Sequence, residues 1–296
     1  MEDKIVTGLA NDGHIRIMCI SSTQMVQEAK DRHDLWPTAS AALGRLMSVS
    51  ALMGAQLKNE EEVISVRVDG DGELGLMRVD AAKTGAVRGF VMNPHVMLMN
   101  DQKHLDVGKA VGKGTLSVSR NYGLKNEFTS SIELVSGEIG EDFAMYFTQS
   151  EQLPSVVSVG VLVNKDGNID AAGALLIQMM PGHTESDIDM AEYVVEHLKP
   201  ISQMIVEGMT PEMIVSSLFN ETELLSQSAV EFKCHCNHDK MRETLKTLTV
   251  HDLEELMHED EGATLECQYC NTHYHFDKND LMEIIQEKKH VEDSQA

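Results

Sequence analysis

Four of the five cysteines fall into two tight pairs, Cys234-His-Cys236 and Cys267-Gln-Tyr-Cys270, with residues 237–266 between them. Two pairs of thiols offer the four soft ligands of a tetrahedral shell, the arrangement that a structural zinc ion takes. The Cys-x-x-Cys spacing is a usual zinc half-site, whereas Cys-x-Cys is unusual and the gap exceeds that of a common zinc ribbon. Four clustered cysteines in a chain with one other still mark Cys234, Cys236, Cys267 and Cys270 as ligands of one Zn²⁺ per chain. His235, His238, His273 and His275 crowd the same stretch. Because four thiols complete the shell, these histidines read as solvated or neighbouring imidazoles. Cys19 stands alone in an apolar stretch and reads as a buried small hydrophobe.

Three uses compete for such a site: a static structural ion in a binding module, an enzyme, and a redox switch. A catalytic zinc needs an open position, and four thiolates leave none. A thioredoxin-type Cys-x-x-Cys would follow a strand and open a helix, but Cys267–Cys270 precedes the strand-like His273-Tyr-His-Phe276. No glycine-rich phosphate loop, HExxH or nucleophile elbow occurs, so the chain does not read as an enzyme. A switch remains physically attractive, because a metal ties the two pairs across a long loop. Disulfides inside each pair would close only tiny loops and lose that tie, whereas disulfides between pairs would keep it. Spacing alone leaves both outcomes open. The metal is expected to decide whether residues 232–296 fold. Zinc contributes on the order of 10–16 kcal/mol to such sites, and a core this small about 3–5 kcal/mol.

Three regions carry this site. His14-Ile-Arg-Ile-Met-Cys-Ile20 alternates as a strand does. Residues 39–58 place Leu43, Leu46, Met47, Met53 and Leu57 at helical spacing, with small residues such as Gly44 and Gly54 between them. Strands are expected at 63–69, 87–92, 115–120, 130–135, 156–163 and 171–180, with turns at 70–72, 121–126 and 165–168. Pro181-Gly182 is a break. Beyond it, 189–199 and 201–209 read as helices, and Thr210-Pro211 as an N-cap with proline at the first helical position. The expected fold is α+β: a mixed α/β core domain with antiparallel-rich sheets (1–182), an acidic helical linker (183–231) and a small Cys₄ zinc domain (232–296).

Composition narrows the function. The chain has 296 residues, 24 Lys+Arg against 48 Asp+Glu, and a formal net charge of −24. Phosphate backbones and anionic membranes repel such a chain, so neither nucleic acid nor membrane is an expected partner. Nothing reads as a transmembrane helix or signal peptide, which points to the cytoplasm. The linker holds ten acids and one lysine, Lys199. The 19 methionines outnumber the 7 Phe, 5 Tyr and 1 Trp together. Methionine suits surfaces that accept many partners, and Met190, Met204, Met209 and Met213 lie in the linker as candidate client contacts. The same residues would serve equally for packing against the first domain.

The zinc motif resembles that of the heat shock protein 33 family, redox-regulated bacterial holdase chaperones. Gly44-Arg-Leu-Met and Ala51-Leu-Met-Gly-Ala-Gln-Leu-Lys58 resemble its central helix. Asp69-Gly-Asp-Gly72, Val87-Arg-Gly-Phe-Val-Met-Asn-Pro94 and Tyr146-Phe-Thr-Gln-Ser-Glu-Gln-Leu-Pro154 resemble its strand and turn motifs, and Ala172-Gly-Ala-Leu-Leu-Ile-Gln-Met-Met-Pro181 the end of its core domain. Gly173-Ala174 stands in place of an expected glycine pair, and Asn237-His-Asp239 in place of a serine and a basic residue. The second departure leaves less positive charge beside the thiolates. The resemblance implies an ATP-independent holdase, inactive with zinc on the four cysteines. Oxidation would form the Cys234–Cys236 and Cys267–Cys270 disulfides, expel zinc, unfold the C-terminal region and loosen the linker. Unfolding client proteins would then bind, to a homodimer. The alternative is a constitutive zinc module in a protein–protein interaction scaffold.

Overall fold

The computed structural model describes residues 2–121, 128–259 and 262–295. The expected turn at 121–126 lies, apart from Asn121, outside them. The chain divides into two compact units, Met1–Lys233 and Cys234–Ala296.

The first unit is built around one buried helix. It opens with the hairpin β1 (Lys4–Ala10) and β2 (Ile15–Ser21), then α1 (Thr23–His33) and α2 (Pro37–Ala55). Proline at its first position starts α2, and almost every residue from Thr38 to Gly54 is buried. A helix apolar all round needs cover all round. Two sheets provide it: α2 packs on β3 (Val63–Gly70), β4 (Leu76–Ala82) and β5 (Ala86–Val91) of one, and on β8 (Ser155–Val163) and β9 (Ile169–Met179) of the other. The first of these sheets continues through β6 (Gly114–Asn121) and β7 (Phe128–Glu133), which pair antiparallel from Thr115↔Glu133 to Arg120↔Phe128. The short α3 (Val107–Val111) and α4 (Gly140–Ser150) complete this side. Tyr146-Phe-Thr-Gln-Ser, matched above to a strand and turn motif, is the end of helix α4.

The second sheet runs β10-β1-β2-β9-β8, with β10 at Glu223–Ala229. Side chains alternate across a strand. Met18 and Ile20 therefore join the core around α2, while Ile17 and Cys19 face the other side. Residues 183–231, expected as a helical linker, belong to the first compact unit, and their helical part covers that other side. They form α5 (Glu185–Glu196), α6 (Ile201–Val206), α7 (Pro211–Leu218) and the strand β10, and end at the first residue of β11 (Glu231–Phe232). The expected cap of α7 is present, with Met213 N–H donating to Thr210 Oγ1. The sequence of β10 does not alternate and all its residues are exposed; it is a strand because β1 offers it a free antiparallel edge, Lys4↔Ala229 to Leu9↔Glu223. Close approach of α6 depends on glycine. A Cβ on Gly173 would meet Ile205 Cδ1 and the carbonyl oxygen of Ile20, each at 2.4 Å, and one on Gly160 would meet Ser202 Oγ at 2.7 Å.

The second unit contains α8 (His238–Leu245), α9 (Val250–Glu259), the hairpin β12 (Gly262–Glu266) and β13 (His273–Asp277), and α10 (Lys278–Gln295). Leu245, Leu253, Phe276, Leu281 and Ile284 make its core. Glu287 of α10 accepts two hydrogen bonds from Arg242 of α8 at 2.8 and 3.0 Å, and Lys246 lies 3.0 Å away. Those hydrogen bonds, from Arg242 first and then Lys246, hold the Glu287 carboxyl down to about 2.

Candidate metal centre

Local structure brings the four expected cysteines together. The Cys-x-Cys pair lies just before α8, whose N-cap is Asn237; its side chain accepts from Lys240 N–H at 2.9 Å. Asn237 and Asp239, the departures noted above, thus serve helix initiation, with Asp239 in the acid-favouring first turn. The Cys-x-x-Cys pair forms the turn of the β12–β13 hairpin. The N–H groups of Cys270 and Asn271 both donate to the carbonyl of Cys267, at 3.1 and 2.7 Å. Asn271 then takes a positive φ of 52°, a conformation asparagine tolerates, and the chain returns into β13.

The four sulfurs all lie within 4.8 Å of one another. Cys234 Sγ is 3.8 Å from Cys267 Sγ, and Cys236 Sγ is 3.3 Å from Cys270 Sγ, both contacts running between the pairs. All are free thiols. A regular tetrahedron with Zn–S near 2.3 Å has edges of about 3.8 Å, so four sulfurs gathered this closely are a donor set that suits zinc. Among the described residues, no other group of three or more histidine, cysteine or acidic side chains gathers in this way. His235, His238, His273 and His275 are exposed and lie outside the cluster.

The thiols differ electrostatically. Burial, the largest influence, pushes Cys267 up to about 12. Burial acts on Cys270 as well, but the hydroxyl and backbone N–H of Thr272, with the neighbouring thiols, outweigh it and bring Cys270 down to about 7. Tyr274 was not singled out from the sequence, yet its hydroxyl donates to Cys236 Sγ at 3.1 Å. Alternation within His273-Tyr-His-Phe276 was the available signal: Tyr274 shares a strand face with the buried Phe276.

The remaining candidates separate. Met204 is only 5% exposed and joins the cluster between α5–α7 and the sheet, and Met209 packs partly buried against it. Met190 and Met213 are 40% and 54% exposed. Cys19 is fully buried in β2 on that same face, and burial raises its thiol well above the ordinary range.

Fold and site together define a class: a mixed α/β unit followed by a small four-thiol unit able to hold a metal. The family model described as Hsp33 protein matches residues 3–277. The 33 kDa chaperonins of Geobacillus sp. (strain WCH70) and Staphylococcus carnosus (strain TM300) are 41% and 42% identical over 290 residues, spanning 97% of this chain and 98% of each relative. The crystal structure of the 33 kDa chaperonin (heat shock protein 33 homolog) of Thermotoga maritima matches with a TM-score of 0.91 at 33% identity, covering 97% of this chain and 99% of that one. The chain belongs to the Hsp33 family. Its chaperonin relatives and its cysteine cluster fit a chaperone. No helix among the described residues is long and apolar enough to cross a membrane.

Proposed function

We propose that this protein is a cytoplasmic, redox-regulated, ATP-independent holdase rather than an enzyme. In this reading it is held inactive while Cys234, Cys236, Cys267 and Cys270 share one zinc ion, and it is activated when those thiols are oxidised. The observation that carries the reading is the set of four free sulfurs within 4.8 Å. Bound zinc supplies one thing, a tie between the Cys-x-Cys segment and the β12–β13 hairpin.

The residues do the rest. Peroxide takes two electrons from a pair of thiolates, an S–S bond forms, the O–O bond breaks, and two protons complete two waters. Family resemblance assigns the two disulfides to Cys234–Cys236 and Cys267–Cys270. Sulfurs committed to disulfides no longer make a four-thiolate shell. Within-pair bridges close very short loops, so they do little to restrain the unfolded chain. The second unit then relies on its small core alone.

Client binding follows from the cover on the β-sheet. The segment 183–231 places Ile201, Met204, Ile205, Ile214 and Val215 against β1, β2 and β9. Loosening it would free apolar surface on both partners, Met204 and Met209 included, beside the already exposed Met190 and Met213, for unfolding proteins. Homodimerisation in the oxidised state belongs to the same proposal; nucleic acid and membrane do not.

The test is light scattering from a thermally unfolding client, with zinc release followed by a chelating dye. Protection that appears only after peroxide treatment and zinc loss supports the switch. Equal protection before and after, despite zinc loss, sinks it and leaves a constitutive zinc module.

A further inference from the structure

The two halves of the sulfur cluster come from separate pieces of chain, and a metal alone need not align them. We infer that the Tyr274 hydroxyl is a positioning group for the metal site: it fixes Cys236 to the hairpin that carries Cys267 and Cys270, and it tempers that sulfur as a ligand. The inference rests on the four-thiolate reading above.

Three observations support it. The Tyr274 hydroxyl donates to Cys236 Sγ at 3.1 Å. The ring of Tyr274 packs partly buried on the core of the second unit, so the hydroxyl is anchored from behind. Phe276, two residues along β13 on the same face, stacks against His238 with ring centroids 4.2 Å apart. His238 follows Cys236 by two residues. One strand face therefore grips the chain on both sides of Asn237, at Cys236 and at His238, and the Tyr274 contact is the one of the two that reaches a sulfur.

A purely apolar role would need the ring alone. A half-buried tyrosine hydroxyl finds a polar partner, and the partner here is a candidate ligand atom. Groups that hydrogen-bond to metal ligands orient them, and their loss costs about 10–100-fold in metal affinity. An O–H donor also draws charge from a thiolate sulfur, so losing it makes Cys236 the stronger electron donor.

The test uses the full-length reduced protein and Tyr274→Phe, which keeps the ring and removes the hydroxyl. Zinc affinity is measured by competition with a chromophoric chelator. The sulfur-to-metal charge-transfer band is recorded after loading with Co²⁺. The expected result is about 10–100-fold weaker zinc binding, with the Co²⁺ band moved to longer wavelength. Affinity unchanged within about twofold, well short of the effect expected of such a partner, together with an unshifted band, would overturn the inference. Loss of band intensity without a shift would overturn it too, by marking a packing defect. If the wild-type protein itself held no zinc, the four-thiolate reading would fall first.

Discussion

The buried carboxylate of Asp187, in the first turn of α5, lies 3.3 Å from Nδ1 of His14, beside the β1–β2 turn. The same carboxylate accepts from the backbone N–H and hydroxyl of Thr184 at 2.6 and 2.8 Å, and from the Asn11 side chain. The start of the 183–231 segment is thereby fastened to a hairpin about 175 residues earlier in the chain. Thr184, followed by Asn11 and His14, holds the Asp187 carboxyl below its ordinary value of 3.8. A depressed carboxylate contributes stability that is complete above its unfolded value and fades as pH falls through the folded one. Asp187→Ala should speed hydrogen exchange in α5 at neutral pH, and acidification below 3.8 should do the same to the wild type. Exchange in α5 that is equally slow in variant and wild type would show that α5 is held by its apolar face alone.

Gly173 sets the distance between α6 and the sheet. In Gly173→Ala the new methyl would meet both Ile205 Cδ1 and the carbonyl oxygen of Ile20 at 2.4 Å. The first can swing aside, but the second is backbone of a buried central strand. Overpacking of this kind costs about 1–3 kcal/mol, and it falls on the docking of α6. Urea unfolding of the variant should show that loss, and truncating Ile205 as well should restore only part of it. Under the holdase proposal, the reduced Gly173→Ala protein should also suppress client aggregation better than the reduced wild type.

Asp3 carries a pH dependence of the opposite sign to Asp187. Its carboxylate is buried beside the start of α1, where Met25 N–H donates to Oδ2 at 2.7 Å. Burial outweighs that bond and those from Gln24 and Thr23, and raises the group from 3.8 to about 6. Between these values the folded protein holds a proton that the unfolded chain has released. The contribution of Asp3 is therefore full below 3.8 and gone above about 6. From pH 4.5 to 7.5 the wild type should lose about 2 kcal/mol relative to Asp3→Asn, taking 1.36 kcal/mol per pKa unit. Parallel stability curves for the two proteins would show that Asp3 titrates alike in both states.

These particulars show where the sequence was legible. Alternation marked β3, and short strand-like runs bounded by turns marked the β6–β7 and β8–β9 pairs, because those signals lie in each strand's own residues. Thr210-Pro211 marked α7 for an equally local reason. The site was legible as a cluster of four cysteines, since cysteines are scarce and their pairing is short-range. Helix α4 was not. Its N-cap is Ile139, with a positive φ of 70°, and it depends on Asp142 gathering the N–H groups of Val135, Ser136, Gly137 and Ile139. Strand β10 was not either: Glu-Leu-Leu-Ser-Gln-Ser-Ala has no strand pattern, and its partner β1 lies more than two hundred residues away. The role of Tyr274 depends on how the hairpin aims a hydroxyl, which spacing does not express.

Under the four-thiolate reading, the second unit offers the sharpest test of what a bound metal would hold together. Among the described residues its core has seven buried apolar side chains, Phe276, Leu281 and Ile284 included. Such a core supplies about 3–5 kcal/mol, against about 10–16 kcal/mol for a structural zinc. The exposed Arg242–Glu287–Lys246 group adds little to that balance, since surface ion pairs contribute about 0–1 kcal/mol. Cys270→Ser removes one sulfur from the shell while leaving every core residue in place. It should bind zinc far more weakly than one ion per chain, and residues 234–295 should lose most of their exchange protection. The first unit has hydrophobic cores of its own, and its exchange protection in α2, β3 and β9 should persist. Chelation of zinc from the reduced wild type should reproduce this pattern without any substitution. If residues 234–295 stayed protected after chelation, the small core would be sufficient by itself. Oxidation of the four thiols could not then act by unfolding this unit.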